Sequence, residues 1–170
     1  NIMAALGVAE ALNIPIDIKK KALERQKPIK GRLETKILVN NIILIDDTYN
    51  SNPSAMRSAI DVLAQNKMYK ILVMGDMAEL GVLSTKHHKD IASYILSKKI
   101  DLVLCVGEMS KMIVKIIGKN GFWFSSNNDL TVYLKKIIHK DCAILVKGSR
   151  AMKMEQIVGS IENYKVGERI

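Results

Sequence analysis

The chain has 170 residues, 48% hydrophobic, 25% charged and only 5% aromatic, with a formal net charge of +9. This is the make-up of a folded chain of one domain, or one domain plus a fragment, with an aliphatic core; it excludes a disordered polymer. The longest apolar runs, IILI at 42–45 and ILVM at 71–74, are too short to cross a bilayer, so no stable membrane insertion is expected.

Residues 1–13 predict a helix with Ala4, Ala5, Val8, Ala11 and Leu12 on one face. The stretch NIMAALGVAEALN has no basic n-region and no cleavage-like site, so it reads as a helix and not a leader. It starts without Met and without a cap, as a segment of a longer chain would. A second helix is expected over 16–27, stopped by Pro28. KGRLETKILVNNIILIDD then predicts a hairpin of strands 31–39 and 42–46, because adjacent Asn40 and Asn41 tolerate the positive φ of a tight turn.

From there the pattern alternates. Helices are predicted at 53–66, 85–98, 108–117, 128–138 and 151–163, and strands at 70–75, 101–106, near 122–124 and 142–147. Short, continuously apolar strands alternating with helices imply an α/β fold, with a mostly parallel sheet, helices on both faces and one antiparallel hairpin strand. Such sheets bind ligands beyond the carboxyl ends of their strands. Cys105 and Cys142 lie in apolar runs and read as buried hydrophobes of a reducing compartment. The lysines are scattered, as in IDIKKKALERQK and YLKKIIHK, without aromatics to stack on bases. Solvated helix faces explain them better than a nucleic-acid partner.

The most informative stretch is IILIDDTYNSNPSAM at 42–56. Asn52 suits a helix N-cap and Pro53 the first helical position. Capping does not explain Asp46, Asp47, Tyr49 and Asn50 crowded at one strand end, which point to a ligand. Asp76 and Glu79 follow the next strand, readable as ligand groups or as loop and capping acids. Lys147, Ser149 and Arg150 follow the last strand; Arg forks suit carboxylates, and the alternative is a solvated loop. His87 and His88 read as surface or capping residues, His139 as a cation at a helix end, and Arg32 as part of a plain hairpin strand. No G-x-x-x-x-G-K-[ST] or G-x-G-x-x-G occurs, so the chain has no phosphate cradle of its own.

The stretches NIMAALGVAEAL, KGRLE, IDDTYNSNPSAM, VMGDMAELG, His88, DLVLCVG and LVKGSRAMKMEQIV, in this order, closely resemble the Mur ligase family. Within it they resemble the branch that adds D-Ala-D-Ala to UDP-N-acetylmuramoyl-tripeptide. The resemblance implies that residues 1–31 are the tail of a central ATPase domain and 32–170 a carboxy-terminal Rossmann-like domain. The rest of the central domain, with its phosphate loop, its carbamylated lysine and the Glu and His that bind Mg2+, would lie outside this chain, as would a UDP-binding domain. The implied reaction is ATP-dependent. The tripeptide carboxylate attacks the γ-phosphate and releases ADP; the dipeptide amine then displaces phosphate from the acyl phosphate.

By motif match, Asn1 would contact adenine and Arg32 would reach the γ-phosphate and act in catalysis. Asp47 would take the ribose hydroxyls, with Tyr49 and Asn50 beside the adenosine. Lys147, Ser149 and Arg150 would form the loop facing D-Ala-D-Ala. No metal ligand falls in the chain. The resemblance also implies a monomer of the bacterial cytoplasm. Ser51 stands where the family more often has Ala, a change expected to matter little. The rival readings are a non-catalytic nucleotide- or dipeptide-binding module and a free-standing Rossmann-type domain of another family.

Overall fold

The computed structural model describes residues 2–25 and 29–164. Helices α1 (Ile2–Ala11) and α2 (Ile16–Glu24) come first, tied by a Lys19–Glu10 ion pair. Strands β1 (Glu34–Leu38) and β2 (Ile42–Asp47) follow, then α3 (Pro53–Ala64), β3 (Tyr69–Gly75) and α4 (Ser84–Ser97). The chain continues with β4 (Leu102–Val106), α5 (Lys111–Ile117), β5 (Gly121–Phe124), α6 (Asn127–Ile137), β6 (Cys142–Lys147) and α7 (Glu155–Glu162). The six strands form one sheet in the order β1-β2-β6-β3-β4-β5. Only β1 runs antiparallel, against β2; the other pairings are parallel.

The apolar runs are continuous because both faces of the parallel strands are buried. Leu44, Val73, Leu104 and Val146 face α6 and α7, meeting Leu130, Leu134, Ile157 and Ile161. Ile45, Leu72, Val103 and Leu145 face the other way, onto Met56, Ile60, Ile91 and Ile113 of α3, α4 and α5. Burial pushes the thiols of Cys105 and Cys142 up, so both stay protonated, as small hydrophobes do. β2 feeds α3 on one face, while its neighbour β6 feeds α7 on the other. Their following loops therefore diverge and open a crevice at the carboxyl edge.

Local chemistry sets the element ends. Asn40 and Asn41 take φ of 59° and 57° in the hairpin turn. Asn52 Oδ1 accepts from Ala55 N–H at 2.8 Å with Pro53 behind it, a cap worth about 1 kcal/mol. Four expected boundaries move by three residues or more. The first strand begins at Glu34 and not 31, because Gly31 (φ 72°) and Leu33 (φ 51°) bend the chain, which puts Arg32 outside the strand. α5 begins at 111 because the preceding turn is held by Asp76, and α7 begins at 155 because Lys153 has φ 50°. α2 closes at Glu24; the expected Pro28 stop lies outside the described residues. The expected apolar face of α1 is bare: Val8 is 62% and Leu12, just beyond it, 68% exposed.

Trp123, the single tryptophan, lies on β5 and donates its Nε1–H to Gly107 O at 2.8 Å, with the Lys111 ammonium 4.3 Å from its ring centre.

Candidate functional site

The crevice at the ends of β2 and β6 is a cleft of about 730 Å3 walled by Arg32, Asp47, Tyr49, Asn50, Ser51 and Lys147. Parallel pairing sets Asp47 directly beside Lys147, though they are 100 positions apart in sequence. The Lys147 ammonium, 2% exposed, lies 2.5 Å from Asp47 Oδ2 and also donates to Asn50 O at 3.0 Å. Asp47 Oδ1 accepts from Leu33 N–H at 3.1 Å. Each carboxylate oxygen has two acceptor directions, so both keep one for a ligand hydroxyl.

The bend at 31–33 is docked on the same strand end. Tyr49 N–H donates to Gly31 O at 3.0 Å, and the Arg32 guanidinium lies 4.3 Å from the centre of the Tyr49 ring. Tyr49 is half exposed. The cleft thus offers an aromatic face, an anion with free lone pairs and an exposed cation at its mouth.

A second cleft of about 350 Å3 lies on the other side of Tyr49, lined by Lys30, Asp46, Arg150 and Glu155 among others. Asp46 is buried and takes Thr48 Oγ1–H at 2.7 Å and Thr48 N–H at 3.1 Å. Arg150 is largely exposed and faces Glu155 Oε1 at 3.5 Å, while Glu155 Oε2 is buried without a partner. This cleft carries two cations and two carboxylates close together.

The family described as "Mur ligase, glutamate ligase domain" matches residues 31–150. The chain belongs to the Mur ligase family. It is 46% identical over 160 residues to the UDP-N-acetylmuramoyl-tripeptide--D-alanyl-D-alanine ligase of Buchnera aphidicola subsp. Acyrthosiphon pisum, covering 93% of this chain and 35% of that protein. The protein of the same name from Escherichia coli K12 is 37% identical over 164 residues, covering 95% and 36%. Among solved structures, MurF from Acinetobacter baumannii superposes with a TM-score of 0.86 at 30% identity, covering 96% and 37%. MurF ligase from Thermotoga maritima, solved in complex with ADP, gives a TM-score of 0.82 at 25% identity, covering 94% and 36%. The chain therefore spans about a third of the length of the Mur ligases it matches.

Of the residues expected to bind ligands in this Mur ligase chain, Arg32, Asp47, Tyr49 and Asn50 come together in the larger cleft. Asn1 lies outside the described residues. Lys147, expected beside Ser149 and Arg150, turns instead to Asp47 and joins the larger cleft. Ser149 is buried, with its N–H donating to Asp76 O at 3.0 Å, and Arg150 alone of the three lines the smaller cleft.

His88 is the main correction. Expected at the surface or as a cap, it is fully buried on α4. It shares its helix face with Ile91, Ala92 and Ile95, and that 3-4-7 spacing was the signal. Asp76 takes the second of its two expected roles, that of a loop acid: its carboxylate accepts from Ser110 Oγ–H at 2.6 Å and from the N–H groups of Ser110 and Met109 at 2.8 and 3.1 Å, in the turn before α5. Among the described residues no group of three or more His, Cys, Asp and Glu could hold a metal ion, and no helix is long and apolar enough to cross a membrane.

Ser51 Oγ is buried and has no hydrogen-bond partner. Ser51→Ala should therefore leave stability unchanged or slightly raised, since an unpartnered hydroxyl gains nothing from burial. Thermal melts on the two proteins check this.

Proposed function

We propose that this chain is the carboxy-terminal part of an ATP-dependent ligase that joins D-Ala-D-Ala to UDP-N-acetylmuramoyl-tripeptide in peptidoglycan precursor synthesis. The observation that carries it is the larger cleft: Asp47 held by Lys147, beside Tyr49 and Arg32, at the divergence of β2 and β6. An aromatic face, a hydroxyl acceptor and a cation are the groups an adenine, a ribose and a polyphosphate require, so these residues fit ATP. In this reading Asp47 accepts the ribose hydroxyls, and Tyr49 and Asn50 flank the adenosine. Arg32 leaves its stack on Tyr49 to meet the charge building on the transferred phosphoryl group.

Residues 1–31 are read as the end of the central domain, supported by a family match that starts at residue 31 and by the absence of any buried residue in α1. Mg2+ would be held by residues outside this chain and would supply charge neutralisation at the phosphates. The smaller cleft is assigned to the dipeptide. Lys30 and Arg150 suit its carboxylate, and Asp46 and Glu155 suit its amine. The reading includes a monomer in the bacterial cytoplasm, with neither nucleic acid nor membrane as a partner.

The test is phosphate release by the complete protein with ATP, Mg2+, UDP-N-acetylmuramoyl-tripeptide and D-Ala-D-Ala, omitting each in turn. Release that needs all of them, and falls about a hundredfold or more in Arg32→Ala, supports the ligase. No release from a folded complete protein would leave a non-catalytic binding module.

A further inference from the structure

Two hydrogen bonds meet on a single peptide group at the end of β3. The carbonyl of Asp76 accepts from Ser149 N–H at 3.0 Å. The N–H of the same peptide, that of Met77, donates to His88 Nε2 at 3.2 Å. His88 Nδ1 lies 2.8 Å from Ser84 O. A carbonyl cannot donate, so this network puts the imidazole proton on Nδ1 and leaves Nε2 as the bare acceptor. A continuous chain results, from Ser84 through the ring and the 76–77 peptide to Ser149, in which each bond polarises the next.

The far end of that chain is fixed with little slack. Ser149 O accepts from Met152 N–H at 2.9 Å, so both backbone groups of Ser149 are engaged. At Gly148 an added Cβ would lie 2.7 Å from Met154 Cγ and 3.2 Å from Gly75 Cα. Arg150 follows immediately and lines the smaller cleft. The Asp76 carboxylate pins the near end through Met109 and Ser110.

We propose that His88 is a positioning residue for the amino acceptor: through the 76–77 peptide it sets the Ser149–Arg150 backbone, and so the guanidinium that meets the dipeptide carboxylate. This rests on the assignment of the smaller cleft to D-Ala-D-Ala. His88 lines neither cleft. If it merely filled the core beside Ile91 and Ala92, an apolar residue of similar size would serve, and its loss would not distinguish one substrate from another.

The experiment compares wild type, His88→Leu and His88→Gln in the complete protein. It measures KM for D-Ala-D-Ala and for ATP, and hydrogen exchange over 148–152. His88→Leu is expected to raise KM for the dipeptide about tenfold, leave KM for ATP within about twofold and speed exchange over 148–152. Gln, whose amide oxygen can stand in for Nε2, is expected to bring the dipeptide KM back to within about threefold of wild type. Should His88→Leu not fold, His88→Asn replaces it: its amide is too short to reach Met77, and it is expected to show the same selective rise. Equal effects on both KM values, an unchanged dipeptide KM in a folded variant, or no rescue by Gln overturns the proposal. Wild-type turnover that ignores the dipeptide would instead overturn the ligase reading beneath it, whatever the variants do.

Discussion

Asp47→Ala in the complete protein is expected to lower kcat/KM for ATP about a thousandfold, since two hydrogen bonds to a charged group are worth about 1.5–3 kcal/mol each. The same substitution carries a structural cost. Lys147 is 2% exposed and Asp47 is its ion-pair partner. Removing one member of a buried pair strands the other, at about 3 kcal/mol, or roughly 6–12 °C in Tm for a chain of this size. Lost activity in the single variant therefore mixes two causes. The double variant Asp47→Ala/Lys147→Met separates them, because an apolar chain of similar length fills the space of the ammonium. It should regain most of the Tm and none of the turnover. Wild-type turnover in either variant would remove Asp47 from the nucleotide site.

Gly107→Ala is expected to be the most damaging single-atom addition to the fold. Gly107 has φ 110°, and an added Cβ would lie 2.4 Å from Asp76 Cγ. The carboxylate cannot swing aside without giving up its bonds to Met109 N–H, Ser110 N–H and Ser110 Oγ–H. Backbone strain at positive φ, steric overlap and lost charge-assisted bonds together come to about 3–5 kcal/mol. Chemical denaturation of the two proteins would show it as a lower midpoint with an unchanged slope. A midpoint within experimental error of wild type would mean that Asp76 does not hold the turn.

The strands were legible because burial on both faces writes an unbroken apolar run, as in IILI and ILVM, and the polar cluster after β2 stands out against that run. The starts of α5 and α7 were not legible. Asp76, in the loop after β3, holds the turn before α5, and a left-handed residue, Lys153, delays α7. Arg32 was placed on a strand because the hairpin pattern hides the bend that Gly31 and Leu33 impose. The Lys147–Asp47 pair depends on parallel register between segments 100 positions apart, which local pattern does not encode. His88 was legible from its spacing to Ile91 and Ile95, because residues three and seven positions apart share one helix face, and that face outweighs the usual preference of histidine for the surface.

The placement of Trp123 has a practical consequence. The one indole of the chain is bonded to the carbonyl of Gly107, the residue packed against the Asp76 carboxylate, and has an ammonium over its ring. The turn that Asp76 secures therefore carries its own fluorophore. Its emission wavelength and lifetime follow the integrity of that turn without a label, and separate its opening from unfolding of the distant hairpin.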